Sequence, residues 1–337
     1  MDKSKTFKRM VIFILSVLML LVFSAGSNTT PAAAAKAVKT IKIGYSTAEN
    51  DPRNDGSVKF KEIVEKETDG AIKVDIYPAA QLGNDRDLIE GVKLGTVEVT
   101  ISSAGNFAVY EPKMGLSALP FILPDFETAW RFLDTPEQKK IAEGLLKSNI
   151  RVLAYFENGF RCVTNSKRAI EKPEDLKGLT IRTPENPYVI ETLKALGAIP
   201  NPLGFSEVYI ALKQKMFDGQ ENPIPLILNA KIYEVQKYLS VTNHSYDTMP
   251  FVINEPFFKS LTPEQQEIVK KAAIEAQNLN RQIIKKQTED FLSELEKKGM
   301  IVSKPDLSLF KAATKEVSKK FSNIFTQQEL DFATNFK

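Results

Sequence analysis

Two arginines, Arg161 and Arg182, stand beside apolar, β-prone segments, in the sequences ENGFRCV and GLTIRTP. Ligand crevices in α/β proteins open at the ends of strands, so an arginine there is well placed to meet a ligand. Its planar guanidinium pairs with a carboxylate through two parallel hydrogen bonds. A buried arginine without an anionic partner is costly, so each needs a carboxylate from a ligand or from the protein. The residues alone leave both alternatives open, a ligand clamp or an internal ion pair.

Little else in the chain has the residue types and spacing of a catalytic or metal site. The single cysteine, Cys162, and the single histidine, His244, exclude an internal disulfide and a Cys/His metal cluster. Cys162 lies in an apolar stretch, which favours a buried structural thiol over a Cys–His dyad. No phosphate loop and no G-x-S-x-G motif occurs. The 45 basic residues nearly balance the 42 acidic ones, without a dense basic run. We therefore expect no cofactor, no metal and no nucleic-acid partner.

The N-terminal segment has the layout of an export signal. Basic residues precede an apolar run from Met10 to Phe23, and small residues follow it. The run is shorter than the ~20 residues of a membrane span. Ser27 stands where a lipoprotein would carry its cysteine, so thioether lipidation is not available. We predict a signal peptide over residues 1–26 and a linker over 27–39, with an uncleaved anchor as the alternative.

Alternating β-prone segments and periodic helical segments predict a mixed α/β fold. The predicted strands are Thr40–Tyr45, Ile72–Tyr77, Val97–Ser102, Ile150–Phe156, Arg161–Ser166 and Phe251–Asn254. The predicted helices are Ser57–Thr68, Asp85–Leu94 and the long Glu264–Lys298. Thr262 and Pro263 are suited to the N-cap and the first position of the long helix.

Three segments resemble those of the solute-binding proteins of tripartite ATP-independent periplasmic (TRAP) transporters, DctP type. They are YPAAQLGNDRDLIEGVKLGTVEVT at 77–100, GFRCVTNSKRAI at 159–170 and PLGFSEVYIALKQKMFDGQENP at 202–223. The likeness runs from about residue 40 to the C-terminus. It implies an α/β, two-lobed periplasmic-binding-protein clamshell, with the ligand between the lobes and a long helix spanning both. The implied lobe I is residues 40–158 with 248–287, and lobe II is residues 159–247 with 288–337.

The resemblance also implies ligand-binding roles for individual positions. Arg182 corresponds to the main carboxylate-binding arginine of the family, and Arg161 to a second arginine in the G-x-R motif. Asn222 corresponds to the asparagine of D-G-Q-E-N-P, and Phe205 to the aromatic residue of F-S-E-V-Y. Asp85 corresponds to the aspartate of Q-L-G-x-D-R. Together these positions predict one pocket for an acid.

The chain departs from one branch of the family and is closer to another. Sialic-acid-binding members carry a glutamate just after the third predicted strand, where this chain has Ser103, so sialic acid is not the expected ligand. The turn TPENPYV after Arg182 looks more like members that bind uronates and diketogulonate-like compounds. Ser103 remains a candidate ligand contact. Glu49 and Asn50, in the loop after the first strand, are candidates for contacts to ligand hydroxyls.

These features predict an extracytoplasmic solute-binding protein and not an enzyme. It would capture a carboxylate-bearing small molecule, with a sugar acid as the favoured class, and deliver it to the TRAP membrane subunits. A C4-dicarboxylate or another organic acid is the alternative ligand. An enzyme acting on a carboxylated sugar would need a general acid or base near the arginines, where only Asp85 and Glu221 are linked to the motifs. A sensory or adhesive protein that keeps the fold is a further alternative.

Overall fold

The computed structural model describes residues 38–336, so the predicted signal peptide and nearly all of the predicted linker lie outside the described residues. The strands of the described part form one ten-stranded sheet. They are β1 (Lys39–Gly44), β2 (Ile72–Tyr77), β3 (Val99–Ile101), β4 (Ile150–Asn165), β5 (Thr180–Thr183), β6 (Ile199–Pro202), β7 (Gly219–Pro223), β8 (Tyr238–Ser240), β9 (Tyr246–Asn254) and β10 (Ile301–Ser303).

The sheet contains two groups of parallel strands joined by an antiparallel pair. Its order is β2-β1-β3-β9-β4-β7-β5-β6, while β8 pairs with β4 and with β10 off this path. β1 is parallel to β2 and β3, and β5 is parallel to β6 and β7. β9 and β4 are antiparallel to each other and to their outer neighbours β3 and β7. The mixed α/β architecture expected from the sequence is confirmed.

Helices cover the sheet and connect its strands. Those described are α1 (Pro52–Glu67), α2 (Asp85–Leu94), α3 (Phe126–Leu133), α4 (Pro136–Glu143), α5 (Pro187–Ala195), α6 (Val208–Lys213), α7 (Ile224–Asn229), α8 (Glu255–Lys259), α9 (Pro263–Lys297), α10 (Leu307–Thr314) and α11 (Gln327–Asn335). Within residues 38–336, none of them combines the length and the apolar character that a membrane span needs.

The prediction of two separate strands around Glu157 is wrong, because β4 is one continuous strand of 16 residues. The sequence ENG suggests a turn. Gly159 instead adopts a positive φ of 119° beside a register shift, which bends the strand and keeps it in the sheet. Residues 150–160 pair with β9, and residues 161–165 pair with β7. Arg161 therefore lies inside a strand, at the point where the pairing partner changes.

Helix α1 begins at Pro52, earlier than the predicted Ser57. Asp51 accepts a hydrogen bond from the backbone N–H of Arg53, and Pro52 occupies the first turn, where its missing N–H costs nothing. The segment DPRNDG, which the sequence suggests is a loop, therefore begins the helix. This places Arg53 in the first helical turn, where it is buried.

Helix α9 runs for 35 residues, in agreement with the predicted long helix. Thr262 and Gln265 form a capping box at its start. Val269 packs with Phe60 of α1 in the core beside β1–β3, whereas Leu295 packs in a separate core beside α7. The helix therefore joins two hydrophobic cores, one beside β1–β3 and one that also includes Cys162 of β4 and Leu239 of β8.

Candidate functional site

Six of the eight predicted ligand-binding residues line a single cavity of about 40 Å³. They are Asp85, Ser103, Arg161, Arg182, Phe205 and Asn222. Ser103 follows β3, and Arg182 lies in β5, so the cavity collects side chains from both parallel groups of strands. The cavity adjoins a larger cleft of about 1110 Å³, and Asp85, Arg182 and Phe205 line both. The position is that of a ligand crevice at the ends of strands in an α/β sheet.

Arg182 is a buried guanidinium without a carboxylate partner among the described residues. Only 2% of its surface is exposed. Its Nε and Nη2 both donate to the backbone carbonyl of Leu203, and the Nε–O distance is 2.9 Å. Burial lowers the pKa of Arg182 to about 10, and the charge of Glu221 offsets only part of this effect. The protein thus keeps a cation in a position where its charge is not compensated locally.

Arg161 has the opposite environment, because two carboxylates surround it. Its Nε and Nη2 donate to the Glu221 carboxylate, and its Nη1 donates to Asp247. Nη2 also donates to Oδ1 of Asn222, at 3.0 Å. Burial alone lowers the pKa of Arg161, but the charges of Glu221 and Asp247 outweigh burial and raise it above its usual value. Of the two alternatives left open by the sequence, Arg161 forms the internal ion pair.

A hydrogen-bond network continues from Arg161 across the floor of the cavity. Asp247 accepts hydrogen bonds from Ser103 Oγ at 2.6 Å and from Asn158 Nδ2 at 2.7 Å. Asn158 Oδ1 in turn accepts from Arg53 Nη2 at 3.1 Å. Sequence reasoning missed Asp247, Asn158 and Arg53. One signal was available, because an aspartate in the apolar strand YDTMPFV requires a buried partner.

Asp85 links the segments that follow β1 and β3 and lines the cavity. It is the first residue of α2, after the N-cap Asn84. Its Oδ2 accepts from Ser46 Oγ and its Oδ1 from Ser102 Oγ, both at 2.9 Å. Asn106 donates to the same Ser102 hydroxyl, while its own Oδ1 is buried without a hydrogen-bond partner. This wall of the cavity therefore presents acceptor oxygens.

Asn222 and Phe205 complete the lining but differ in how firmly they are held. The Asn222 amide accepts from Arg161 and donates to Oε1 of Gln220 within β7. Phe205 begins a single 3-10 turn after Gly204 and is half-buried. Its ring borders the cavity, the cleft and a neighbouring cavity of about 220 Å³. Asn222 is fixed by the network, whereas Phe205 presents an apolar face to all three spaces.

Glu49 and Asn50 lie apart from the cavity that contains Arg182. Glu49 is exposed and lines neither this cavity nor its neighbour. Asn50 lines the neighbouring cavity and donates a hydrogen bond of 3.0 Å to the backbone carbonyl of Asn229 at the end of α7. Their roles in hydroxyl recognition stay predictions.

The lone cysteine and histidine do not form a catalytic pair. Cys162 is buried, its Sγ lies 3.3 Å from Asn243 Oδ1, and burial raises its thiol pKa to about 12. His244 contacts Thr242 through Nδ1 at 2.8 Å, and its Nε2 lies 3.4 Å from Glu221. The expected structural thiol is confirmed. Within residues 38–336, no cluster of three or more His, Cys, Asp or Glu side chains has the geometry of a metal site.

A cleft above an uncompensated, buried arginine defines a protein that binds small anions. The chain belongs to the bacterial extracellular solute-binding proteins of family 7, whose profile matches residues 43–324. Proteins of this family are extracytoplasmic and bind solutes without acting as enzymes. The family expected from the sequence motifs is thereby confirmed.

Relatives within the family bind different acids. The 2,3-diketo-L-gulonate-binding periplasmic protein of Escherichia coli K12 is 36% identical over 266 residues, which cover 79% of this chain and 81% of the relative. A TRAP periplasmic solute-binding protein from Polaromonas sp. JS666, bound to D-erythronate, has a TM-score of 0.86 and 32% identity, covering 89% of this chain and 99% of its own. A similar protein from Sulfurospirillum deleyianum, with bound succinate, has a TM-score of 0.85 and 27% identity, covering 89% and 100%.

Proposed function

We propose that this chain captures a sugar acid, such as a uronate, an aldonate or a diketogulonate-like compound, through a salt bridge to Arg182. The observation that carries the proposal is the buried Arg182 guanidinium, which borders a cavity and has no carboxylate partner in the described part of the chain. A ligand carboxylate would supply the missing charge. Its binding would remove the cost of holding an unpaired cation out of water.

The hydrogen-bond inventory of Arg182 supports a two-pronged contact. A guanidinium has five N–H donors, and the Leu203 carbonyl uses one on Nε and one on Nη2. The three that remain include both donors on Nη1 and one on Nη2, which form the end of the fork that matches a carboxylate. Phe205 would pack on the carbon skeleton of the ligand. Asp85 and Asn106 would accept hydrogen bonds from its hydroxyl groups.

Binding measured by calorimetry, with a panel of uronates, aldonates and C4-dicarboxylates, tests the role of Arg182. Arg182→Met should weaken binding of the cognate acid by about 2–5 kcal/mol, or roughly 30- to 5000-fold. Arg182→Lys keeps the charge without the planar fork and should be intermediate. The matched control is Arg168→Met, because exposed Arg168 donates only to backbone carbonyls away from the cavity. Near-wild-type affinity in Arg182→Met would refute the salt bridge.

A C4-dicarboxylate is the second candidate ligand, because a structural relative holds succinate. Thermal-shift measurements with the same panel separate the two classes. A ligand at ~100 times its dissociation constant stabilises the protein by ~2.7 kcal/mol. Stabilisation by succinate or malate, without any by sugar acids, would select the second candidate.

Lobe closure around the ligand is part of the proposal. The lobes would be residues 40–158 with 248–287 and residues 159–247 with 288–337. Closure excludes water and lowers the effective dielectric constant around the Arg182–carboxylate pair, which strengthens it. Small-angle scattering should therefore record a smaller radius of gyration with ligand than without. An unchanged radius at saturating ligand would contradict closure.

Export and transport complete the proposed function. The family is extracytoplasmic, and solved relatives are TRAP solute-binding proteins, so residues 1–26 would direct export and the loaded protein would dock on TRAP membrane subunits. Intact-mass measurement of the exported protein tests removal of the signal peptide, and a mass that includes residues 1–26 would contradict it. Transport assays in proteoliposomes with the membrane subunits test docking, since uptake should require this protein.

A further inference from the structure

We infer that the site selects acids with a single carboxylate and rejects acids with a second one. This inference rests on the proposed function, because it assumes that Arg182 holds the ligand carboxylate. It goes further because it infers the number of carboxylates on the ligand from the charged residues that line the cavity and the cleft. The relatives leave this question open, since one holds an aldonate and another a dicarboxylate of the same chain length.

One guanidinium group at the cavity has no carboxylate partner among the described residues. Three guanidinium groups line it, those of Arg53, Arg161 and Arg182. Arg53 lies 3.5 Å from a carboxylate oxygen of Asp51. Arg161 is enclosed by two carboxylates, and Arg182 has none. Asp85, a further carboxylate, also lines the cavity. Arg182 can therefore pair with one ligand carboxylate, whereas a second ligand carboxylate would meet no unpaired guanidinium among the residues that line this cavity.

The surroundings beyond Arg182 are acidic. Two cations, Arg86 and Arg182, line the adjoining cleft. The carboxylates that line it are Asp85, Asp87, Glu90, Glu185 and Glu207. Glu90 is paired with Lys93 at 2.9 Å, but Asp85 receives only serine hydroxyls, and Glu207 makes no ion pair with the described residues. A ligand anchored by Arg182 would extend among these acids.

Coulomb's law sets the size of the discrimination. Two like charges about 7 Å apart, at an effective dielectric constant of about 20, repel strongly enough to weaken binding on the order of 10- to 100-fold. Asp85 contributes most of this effect, because it lines both the cavity and the cleft and is partly shielded from water. In contrast, a terminal CH2OH group at the same place is neutral and is not repelled by Asp85.

Matched pairs of acids that differ only at the far carbon test this inference by calorimetry. The pairs are D-erythronate with meso-tartrate and galactonate with galactarate, in which a terminal CH2OH becomes a second carboxylate. The wild type should bind the monoacid of at least one pair tenfold or more tighter than its diacid. Asp85→Asn, which keeps the size and removes the charge, should reduce this ratio severalfold. Glu207→Gln, on an exposed turn, provides a second variant that does not disturb the serine contacts.

The outcomes separate failure of this inference from failure of the proposed function. Suppose that a diacid binds as tightly as its monoacid and that Arg182→Met abolishes binding of both. This result would overturn the inference but would still support the Arg182 salt bridge. An unchanged ratio in both Asp85→Asn and Glu207→Gln would also overturn it. No binding of any sugar acid or dicarboxylate would overturn both. The control is Asp75→Asn, an exposed acid on β2 outside the lining of cavity and cleft, which should leave the ratio unchanged.

Discussion

Replacing Arg182 or Arg161 by methionine should change the stability of the ligand-free protein in opposite directions. Both arginines are buried in the same cavity wall, and both lie in strands of the same sheet. They differ in their ion pairs, because Glu221 and Asp247 pair with Arg161, whereas no carboxylate of the described residues pairs with Arg182. Methionine removes the charge and retains much of the volume. At position 182 the substitution therefore removes the cost of burying an unpaired charge. At position 161 it leaves two buried carboxylates without their cation.

The magnitudes follow from the environment of each side chain. Burial lowers the pKa of Arg182 to about 10, which corresponds to a net cost of about 3 kcal/mol for the charged side chain at neutral pH. The Leu203 carbonyl would lose the hydrogen bonds that it accepts from Arg182, at a cost of about 1 kcal/mol. Arg182→Met should thus raise the free energy of unfolding by about 2 kcal/mol. Arg161→Met would leave Glu221 and Asp247 buried without their cation, and should lower it by about 3–5 kcal/mol.

Urea unfolding of ligand-stripped protein, followed by circular dichroism at neutral pH, measures both changes. Exposed Arg168→Met serves as the control and should stay within about 0.5 kcal/mol of the wild type. The reasoning is refuted if Arg182→Met destabilises the ligand-free protein as much as Arg161→Met does. That result would mean that the charge of Arg182 is already balanced within the protein and needs no ligand carboxylate.

Three further changes test the fold and its buried acid. Burial raises the pKa of Glu157 from 4.5 to about 7, so its stabilising effect is full below about pH 4.5 and is lost as the pH rises through about 7. Glu157→Gln should therefore be more stable than the wild type at pH 8, by up to about 3 kcal/mol. If urea unfolding gave the same difference in free energy of unfolding between variant and wild type at pH 5 and at pH 8, that would contradict this. In Gly115→Ala, the new Cβ would stand 1.9 Å from Cε2 of Tyr188, so thermal unfolding should show a loss of about 1–3 kcal/mol; an unchanged midpoint would contradict it. Thr262→Ala removes the cap of α9 and should cost about 1 kcal/mol in the same assay.

Local patterns in the sequence were sufficient for most secondary structure. The alternation of apolar residues located β1 and β2, and the capping signals of Thr262 located the start of α9. The two errors near the site had local causes. The segment ENG suggests a turn because glycine favours turns, and only pairing with β9 keeps it within β4. The segment DPRNDG suggests a loop, although Asp51 and Pro52 are equally suited to begin a helix.

The sequence could not predict which of the two arginines has a carboxylate partner within the protein. Arg161 and Arg182 occur in similar contexts, and the difference between them depends on Glu221 and Asp247, which lie far from Arg161 along the chain. Such pairing depends on the register of β4 against β7 and β9, which no local pattern specifies. Motif resemblance grouped the cavity residues correctly, but it did not tell which arginine lacks a partner.

The continuity of β4 has a consequence for cooperativity. Residues 150–160 of this strand complete the sheet on the side of β9, and residues 161–165 complete it on the side of β7. If one parallel group of strands unfolded alone, it would leave an unpaired edge on the other. Calorimetry should therefore record a single unfolding transition, although the molecule contains separate hydrophobic cores. A chain cut near Gly159 should yield two fragments that fold only when they are together.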